Sequence, residues 1–322
     1  MPQHLVLITD HPWPGIDVEQ QLLSPYGVEI IDAPEETEAT LARLAQNVDA
    51  IATCWAKVTS KVIQAAHSCR IICRMGIGLD NIHIPTATSK GILVTNTPDY
   101  CVTEVADHAL GLLLAVTRNI GFFHHRTKQQ EYNLQAGPAM HRLRGRTLGL
   151  FGFGKTGQQM YQRAIACGLN VIACTPSGND YGTGCRMVSF DELLETSDYI
   201  SLHAPLTEQN RHIFNADALT RVKTGVVLIN TARGSLIDPS ALYDAIQIGR
   251  VSGAGLDVFE PEPPDLSHPL YLDERVIATP HTAFISEESL LEMRQTVAHQ
   301  IAAVFSGERP ENVVNPEVLQ DV

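Results

Sequence analysis

The sequence predicts an α/β protein of two domains, each a doubly wound parallel sheet. Three observations carry this expectation. Short β-rich runs alternate with helical patterns in two separate series, the 322 residues are comfortable for two compact units, and the strands of the second series are apolar almost throughout. Strands of that last kind are buried on both faces, as a parallel sheet flanked by helices requires.

The first series is LVLIT, VEIID, DAIAT, RIICRM and ILVTN, from Leu5 to about Thr95, interleaved with helical stretches such as EATLARLAQN and SKVIQAAHS. Strands alternating with helices imply parallel pairing through crossover connections. Residues 103–120, TEVADHALGLLLAVTRNI, are apolar around most of the helical circumference and too long for a strand, which predicts a helix buried between domains or subunits. After the basic connector HRLRGR the second series runs TLGLFG, VIAC, YISLHA, VVLIN, GAGLD and VIATP. Among its helices, DPSALYDAIQIG has an Asp before a Pro at the first helical position and a Gly near its end. Residues 286–306 predict a last long helix with Ser286 as N-cap, Glu287 and Glu288 on the positive end of the dipole, and Gly307 as stop. That helix returns the chain to the first domain.

Composition narrows the partners. With 44% hydrophobic and 18% charged residues the chain reads as an ordinary soluble enzyme. Its formal charge of -13, with 23 scattered Lys and Arg, excludes a phosphate-tracking nucleic-acid surface and leaves a small-molecule partner. Seven cysteines, odd in number and without a CxxC pair, suit a reducing cytosol and give no metal site. The N-terminal stretch lacks a basic n-region and no 18 apolar residues run without a charge, so neither a signal sequence nor a membrane span is expected and the chain reads as cytoplasmic.

Chemistry gathers at strand ends. Gly152, Phe153, Gly154, Lys155, Thr156 and Gly157 follow the strand TLGLF and open the helical pattern QQMYQRAIACG. In that context the glycines permit a tight turn and let backbone N–H groups approach a pyrophosphate at a helix N-terminus, the dinucleotide fingerprint. The next strand ends at Thr175, where an NAD-binding fold usually carries an acid on the ribose hydroxyls. A neutral hydroxyl hydrogen-bonds a ribose without repelling a 2′-phosphate, and Pro176, Ser177, Gly178 and Asn179 offer no cationic clamp. NADP is therefore tolerated and NAD modestly preferred. Further on, NTARGSLID, GLDVFEPEPP and TPHTAF contribute Arg233, Glu262 and His281. A guanidinium grips a carboxylate through two bonds. A histidine moves a hydroxyl proton as hydride leaves or arrives, and a carboxylate beside it fixes the tautomer.

These stretches, with RMGIGLDNI (74–82), PDYCVTEVADHALGLLL (98–114), GFGKTG and SLHAPLTEQNRH (201–212), resemble the D-isomer-specific 2-hydroxyacid dehydrogenase family over about residues 49 to 316. That family includes phosphoglycerate dehydrogenases, hydroxypyruvate and glyoxylate reductases, and the C-terminal binding proteins. The resemblance implies a Rossmann cofactor domain (residues 100–286) inserted into a flavodoxin-like substrate domain (residues 1–99 and 287–322). It implies Arg233, Glu262 and His281 as the catalytic set. Lys155, Thr156, His203, Thr231, Ala232 and Ala283 are implied as cofactor contacts, with Asp257 at the nicotinamide carboxamide. Gly76, Ile77 and Gly78 would present backbone amides to the substrate carboxylate, with Arg74 beside them, and helix 103–120 would help form a homodimer. Thr53, Cys54 and Trp55 stand where phosphoglycerate dehydrogenases tend to carry Arg and Ser, so an unphosphorylated 2-oxo acid is expected, bordered by Trp55, Tyr100 and Phe284. Two alternatives stay open: a phosphoglycerate dehydrogenase, and an NAD(H)-sensing binding protein of the C-terminal binding protein type, which FISEESLLEMR and Arg74 resemble.

Overall fold

The computed structural model describes residues 3–321 and divides into two compact units, Met1–Tyr100 with Ser286–Val322, and Cys101–Ile285. The first unit runs β1 (His4–Ile8), α1 (Asp17–Leu23), β2 (Val28–Asp32), α2 (Glu38–Leu44), β3 (Ala50–Thr53), α3 (Ser60–Ala65), β4 (Ile71–Arg74), α4 (Ile84–Ser89) and β5 (Leu93–Thr95). Its strands pair in parallel in the order β2-β1-β3-β4-β5. This is the flavodoxin-like order, which reverses between β1 and β3. Leu7, Ile51, Ile72 and Val94 from four strands meet Leu41, Val62 and Ile63 from α2 and α3 in one core.

The second unit contains α5 (Val102–Thr117), α6 (Ile120–Lys128), β6 (Thr147–Phe151), α7 (Lys155–Ala166), β7 (Asn170–Cys174), β8 (Arg186–Met187), α8 (Phe190–Thr196), β9 (Tyr199–Leu202), α9 (Ala216–Arg221), β10 (Val226–Asn230), α10 (Pro239–Gln247), β11 (Val251–Leu256), α11 (Pro269–Leu272) and β12 (Val276–Ala278). The strand order is β12-β11-β10-β9-β6-β7-β8, again all parallel. Counted from β6, that is the Rossmann order with one further strand, and its direction reverses between β6 and β9. Along β10, Val226 and Leu228 pack with α8, α9 and α10, while Val227 and Ile229 pack with α5 and α7. Strand side chains alternate in direction, so a strand covered on both faces must be apolar at every position.

The final helix, α12 (Glu287–Phe305), belongs to the first unit and packs on α1 and β4. Ser286 caps it, its hydroxyl accepting from the Ser289 N–H, and Gly307 ends it at φ 75°. Two elements differ from expectation. The short strand β8 extends the sheet beyond the six apolar runs, and residues 103–120 do not form one helix. Asn119 adopts the left-handed conformation at φ 52° and separates α5 from α6. Within the second unit, α5 buries Ala106, Ala109, Leu112, Leu113 and Val116 against the sheet. Among the described residues no helix is long and apolar enough to cross a membrane, and no cluster of three His, Cys, Asp or Glu could hold a metal.

Candidate active site

The glycine-rich loop joins β6 to α7 at the point where the strand order reverses. Gly152 has φ 97°, and a Cβ there would lie 2.5 Å from the Ala204 nitrogen, so glycine alone allows the turn to pass the end of β9. At Gly154 no atom beyond its own chain neighbours lies within 4 Å of where a side chain would begin, which leaves space at the N-terminus of the 12-residue α7. Lys155 and Thr156 start that helix, and a Cβ on Gly157 would strike the Gly152 carbonyl at 2.5 Å. Two enclosed polar atoms line the adjoining strand ends without a partner: His203 Nδ1 after β9 and Thr231 Oγ1 after β10. Burial pulls the His203 imidazole down to about 4, which keeps it neutral at pH 7, while its Nε2 meets Ser201 Oγ at 2.9 Å. An open helix N-terminus and unpartnered buried polar atoms fit a dinucleotide.

Thr175 follows β7, and its carbonyl accepts from the Gly178 N–H at 3.1 Å. The next acid, Asp180, is engaged within its own loop, accepting from the Gly182 and Gly184 N–H groups.

Arg233, Glu262 and His281 are carried by the loops after β10, β11 and β12. Asn230 folds the first of these: its side chain donates to the Arg233 carbonyl at 2.8 Å and accepts from the Ala232 N–H at 3.0 Å. His281 Nδ1 lies 2.8 Å from Glu262 Oε2, and Glu262 Oε1 accepts from the Phe259 N–H at 2.7 Å. Because a carboxylate only accepts, Nδ1 carries the proton of this bond. Burial pushes the Glu262 carboxyl up, but the hydrogen bond and charge of His281, the Phe259 N–H and the charge of Arg233 outweigh it and hold it below its ordinary range. The Phe284 ring stands edge-on to His281, centroids 6.0 Å apart.

His281 is itself strained, with φ 53°, a conformation costing a non-glycine residue on the order of 1 kcal/mol. Asp257 holds it there. The Asp257 carbonyl accepts from the His281 N–H at 2.8 Å, and its buried carboxylate accepts from the Thr282 and Ala283 N–H groups, both at 2.9 Å, and from the Thr279 hydroxyl at 2.6 Å. His108 of α5 donates to that hydroxyl from Nε2 at 2.9 Å. Sequence reading missed this anchoring role of Asp257, and His108 and Thr279 altogether. Their only signal was membership in strand-end and helix motifs.

In the first unit, Arg74 ends β4 and is 8% exposed, with its Nε unpartnered and no described carboxylate within ion-pair distance. Gly76 makes room for it, since a Cβ there would meet the guanidinium at 2.4 Å. Ile77 is exposed and Gly78 half-buried beside it. After β3, the Cys54 and Trp55 N–H groups donate to the Asp10 carboxylate at 2.9 and 2.6 Å.

Known proteins share this architecture. The D-isomer specific 2-hydroxyacid dehydrogenase NAD binding domain matches residues 110–283. The chain is 43% identical over 235 residues to hydroxypyruvate reductase of Thermotoga maritima, covering 72% of this chain and 76% of that one. It is 40% identical over 270 residues to D-3-phosphoglycerate dehydrogenase of Methanocaldococcus jannaschii, covering 82% of this chain but about half, 51%, of that relative's length. The crystal structure of D-lactate dehydrogenase from Aquifex aeolicus, complexed with NAD and lactic acid, superposes with a TM-score of 0.87 at 28% identity, covering 97% of this chain and 99% of that one. With the Rossmann strand order, the open glycine turn and the strand-end acid and base, these matches show that the chain belongs to the D-isomer specific 2-hydroxyacid dehydrogenases, NAD-dependent oxidoreductases acting on a CH–OH group.

Proposed function

We propose that the chain reduces a small unphosphorylated 2-oxo acid, with hydroxypyruvate and glyoxylate as the first candidates, through Arg233, Glu262 and His281. The bound dinucleotide supplies the hydride for C2. Arg233 holds the substrate carboxylate, His281 delivers the proton to the carbonyl oxygen from Nε2, and Glu262 stabilises the imidazolium and fixes its tautomer. In the reverse direction His281 removes the hydroxyl proton. The observation that carries this reading is the 2.8 Å pairing of His281 with a carboxylate held ionised beside Arg233.

Gly152, Gly154 and Gly157, with Lys155 and Thr156, take the pyrophosphate. Thr175 faces the adenosine ribose and admits NADP beside NAD. His203, Thr231, Ala232 and Ala283 line the remaining strand ends, and Asp257 sets the nicotinamide edge through the 279–283 loop it anchors. In the first unit, Arg74 and the amides of Ile77 and Gly78 are the groups offered to an acid, the Gly76 N–H already donating to the Arg74 carbonyl at 2.9 Å; a buried guanidinium without a carboxylate supports an anionic ligand. A cytoplasmic homodimer accords with the cysteine pattern and with the family resemblance of α5.

His281→Ala should leave NADH binding nearly intact, by nicotinamide fluorescence, while turnover falls about 10²-fold or more. Turnover within a few-fold of wild type would overturn the assignment.

A further inference from the structure

We infer that His212, with Arg211, is a positioning residue that locks the loop carrying Arg233 to the loop carrying Glu262. The inference rests on the reading of Arg233, Glu262 and His281 given above, and concerns what keeps them in register.

The two loops leave neighbouring strands, β10 and β11, which pair Asn230 with Leu256. They touch at Gly234, where a Cβ would fall 2.0 Å from the Phe259 carbonyl carbon, so any side chain would drive them apart. Contact alone leaves the loops free to slide. His212, in the segment between β9 and α9, removes that freedom by bonding to both. Its backbone N–H donates to the Ser235 carbonyl at 2.7 Å, two residues past Arg233. Its Nε2 lies 2.5 Å from Glu260 Oε2, two residues before Glu262. Arg211 adds its guanidinium to the same Glu260 carboxylate. The seam continues beyond: the Phe214 N–H donates to the Leu236 carbonyl, and the Asp238 N–H to the Phe214 carbonyl, both at 3.1 Å.

His212 holds φ 49°, a left-handed conformation that a non-glycine residue adopts at a cost. Here it lets one residue present its backbone donor and its side chain to two different loops. The bracket is also short in sequence, since Glu260 and Glu262 are separated by one residue and Glu262 is bound to the Phe259 N–H. Displacing Glu260 therefore displaces the carboxylate that orients His281. Arg211 and His212 are partly exposed, and exposed ion pairs contribute little to stability. Misplacement of a reacting group by about 1 Å can cost roughly 10²-fold in rate. The effect of the bracket therefore belongs in turnover rather than in folding.

The test uses the full chain with NADH and hydroxypyruvate or glyoxylate, whichever wild type turns over faster. His212→Ala and Glu260→Gln are expected to lower kcat about 10-fold and raise KM for the acid, with NADH affinity unchanged. Both should move the midpoint of the kcat–pH profile in the direction that Glu262→Gln moves it. The charged groups around His281, namely Glu262, Arg233 and Asp257, are all retained in these variants, so such a movement reports placement. His212→Gln keeps a nitrogen donor and should restore most of the rate, and the double variant should cost little more than either single change. If the His212 and Glu260 variants keep wild-type kcat and pH profile, or lose only melting temperature, the inference is overturned. Arg211→Ala, at an exposed position that folding tolerates, repeats the test at smaller amplitude should His212→Ala fail to fold, and no change in its kcat or profile counts against the inference. If His281→Ala and Glu262→Gln themselves leave turnover intact, the site assignment has failed instead.

Discussion

In the proposed reading Thr175 offers a hydroxyl where a carboxylate would repel a 2′-phosphate, and no nearby acid is free to replace it. Asp180 spends both oxygens on the amides of Gly182 and Gly184. We expect both reduced dinucleotides to bind, NADH modestly tighter, and Thr175→Asp to weaken NADPH selectively in a fluorescence titration; wild type rejecting NADPH by several orders of magnitude would place the choice elsewhere. At Glu262 the carboxyl is held below its ordinary range. The stabilisation of that pairing is therefore present above the unfolded carboxyl value, about 4.3, and is lost as pH falls through the lower folded one. Replacing the carboxylate by an amide removes a charge that favours the imidazolium, so Glu262→Gln should cut kcat by about 10-fold and shift the midpoint of the kcat–pH profile to lower pH. An unmoved profile would separate the two residues. Arg233, Glu262 and His281 were legible as candidates because each follows an apolar strand, where ligand crevices form. The anchoring by Asp257, His108 and Asp10 was not, because those bonds join residues 22 to 171 positions apart.

The same division holds for the elements. Six strands of the second sheet could be read because burial on both faces demands unbroken apolar runs. The seventh, β8, is two residues long, Arg186 and Met187, and lies at the sheet edge, where one covered face suffices and no run forms. The break between α5 and α6 could not be read either, since Asn119 interrupts no apolar period; it acts through its left-handed backbone and through a side-chain bond to the distant Pro138 carbonyl at 2.8 Å. At the opposite end of the second sheet from the candidate site, Asp198 joins the starts of β6 and β9. It accepts from Lys223 at 2.6 Å, Arg146 at 2.8 Å and the Thr147 N–H at 2.9 Å. Burial pushes its carboxyl up, but Lys223, the Thr147 N–H and Arg146 together bring it below the ordinary range. Asp198→Asn should therefore destabilise the protein by about 1 to 3 kcal/mol at pH 7 in urea unfolding. The sign follows from the lowered carboxyl: the difference between wild type and variant is full above about pH 4 and shrinks as pH falls through the folded value. A difference unchanged between pH 7 and pH 3 would show that it does not come from the charge.

For the whole molecule, the proposed preference for an unphosphorylated acid turns on the charges that the first unit carries. The absence of Arg and Ser at Thr53, Cys54 and Trp55 already removed a phosphate anchor. The fold goes further, because the Cys54 and Trp55 N–H groups, donors of the kind a phosphate needs, are taken by the Asp10 carboxylate. The cleft beside Trp55 is also lined by Asp10, Asp32, Glu35 and Glu36. A phosphate dianion entering that field is repelled by each carboxylate, by about 1 kcal/mol per unit charge at 4 Å even in water. His11, 3.3 Å from Asp32, is the one basic side chain lining that cleft among the described residues, and Arg74, which does not line it, already donates to the Met75 carbonyl. We therefore expect kcat/KM for hydroxypyruvate or glyoxylate reduction to exceed that for 3-phosphoglycerate oxidation by about 10²-fold or more. Asp10→Asn should narrow the gap from the phosphorylated side, by relieving repulsion and loosening the loop that Asp10 holds. Efficient oxidation of 3-phosphoglycerate by wild type at low substrate would mean that a cation outside this acidic cleft receives the phosphate, and the substrate assignment would fall while the acid–base assignment stood.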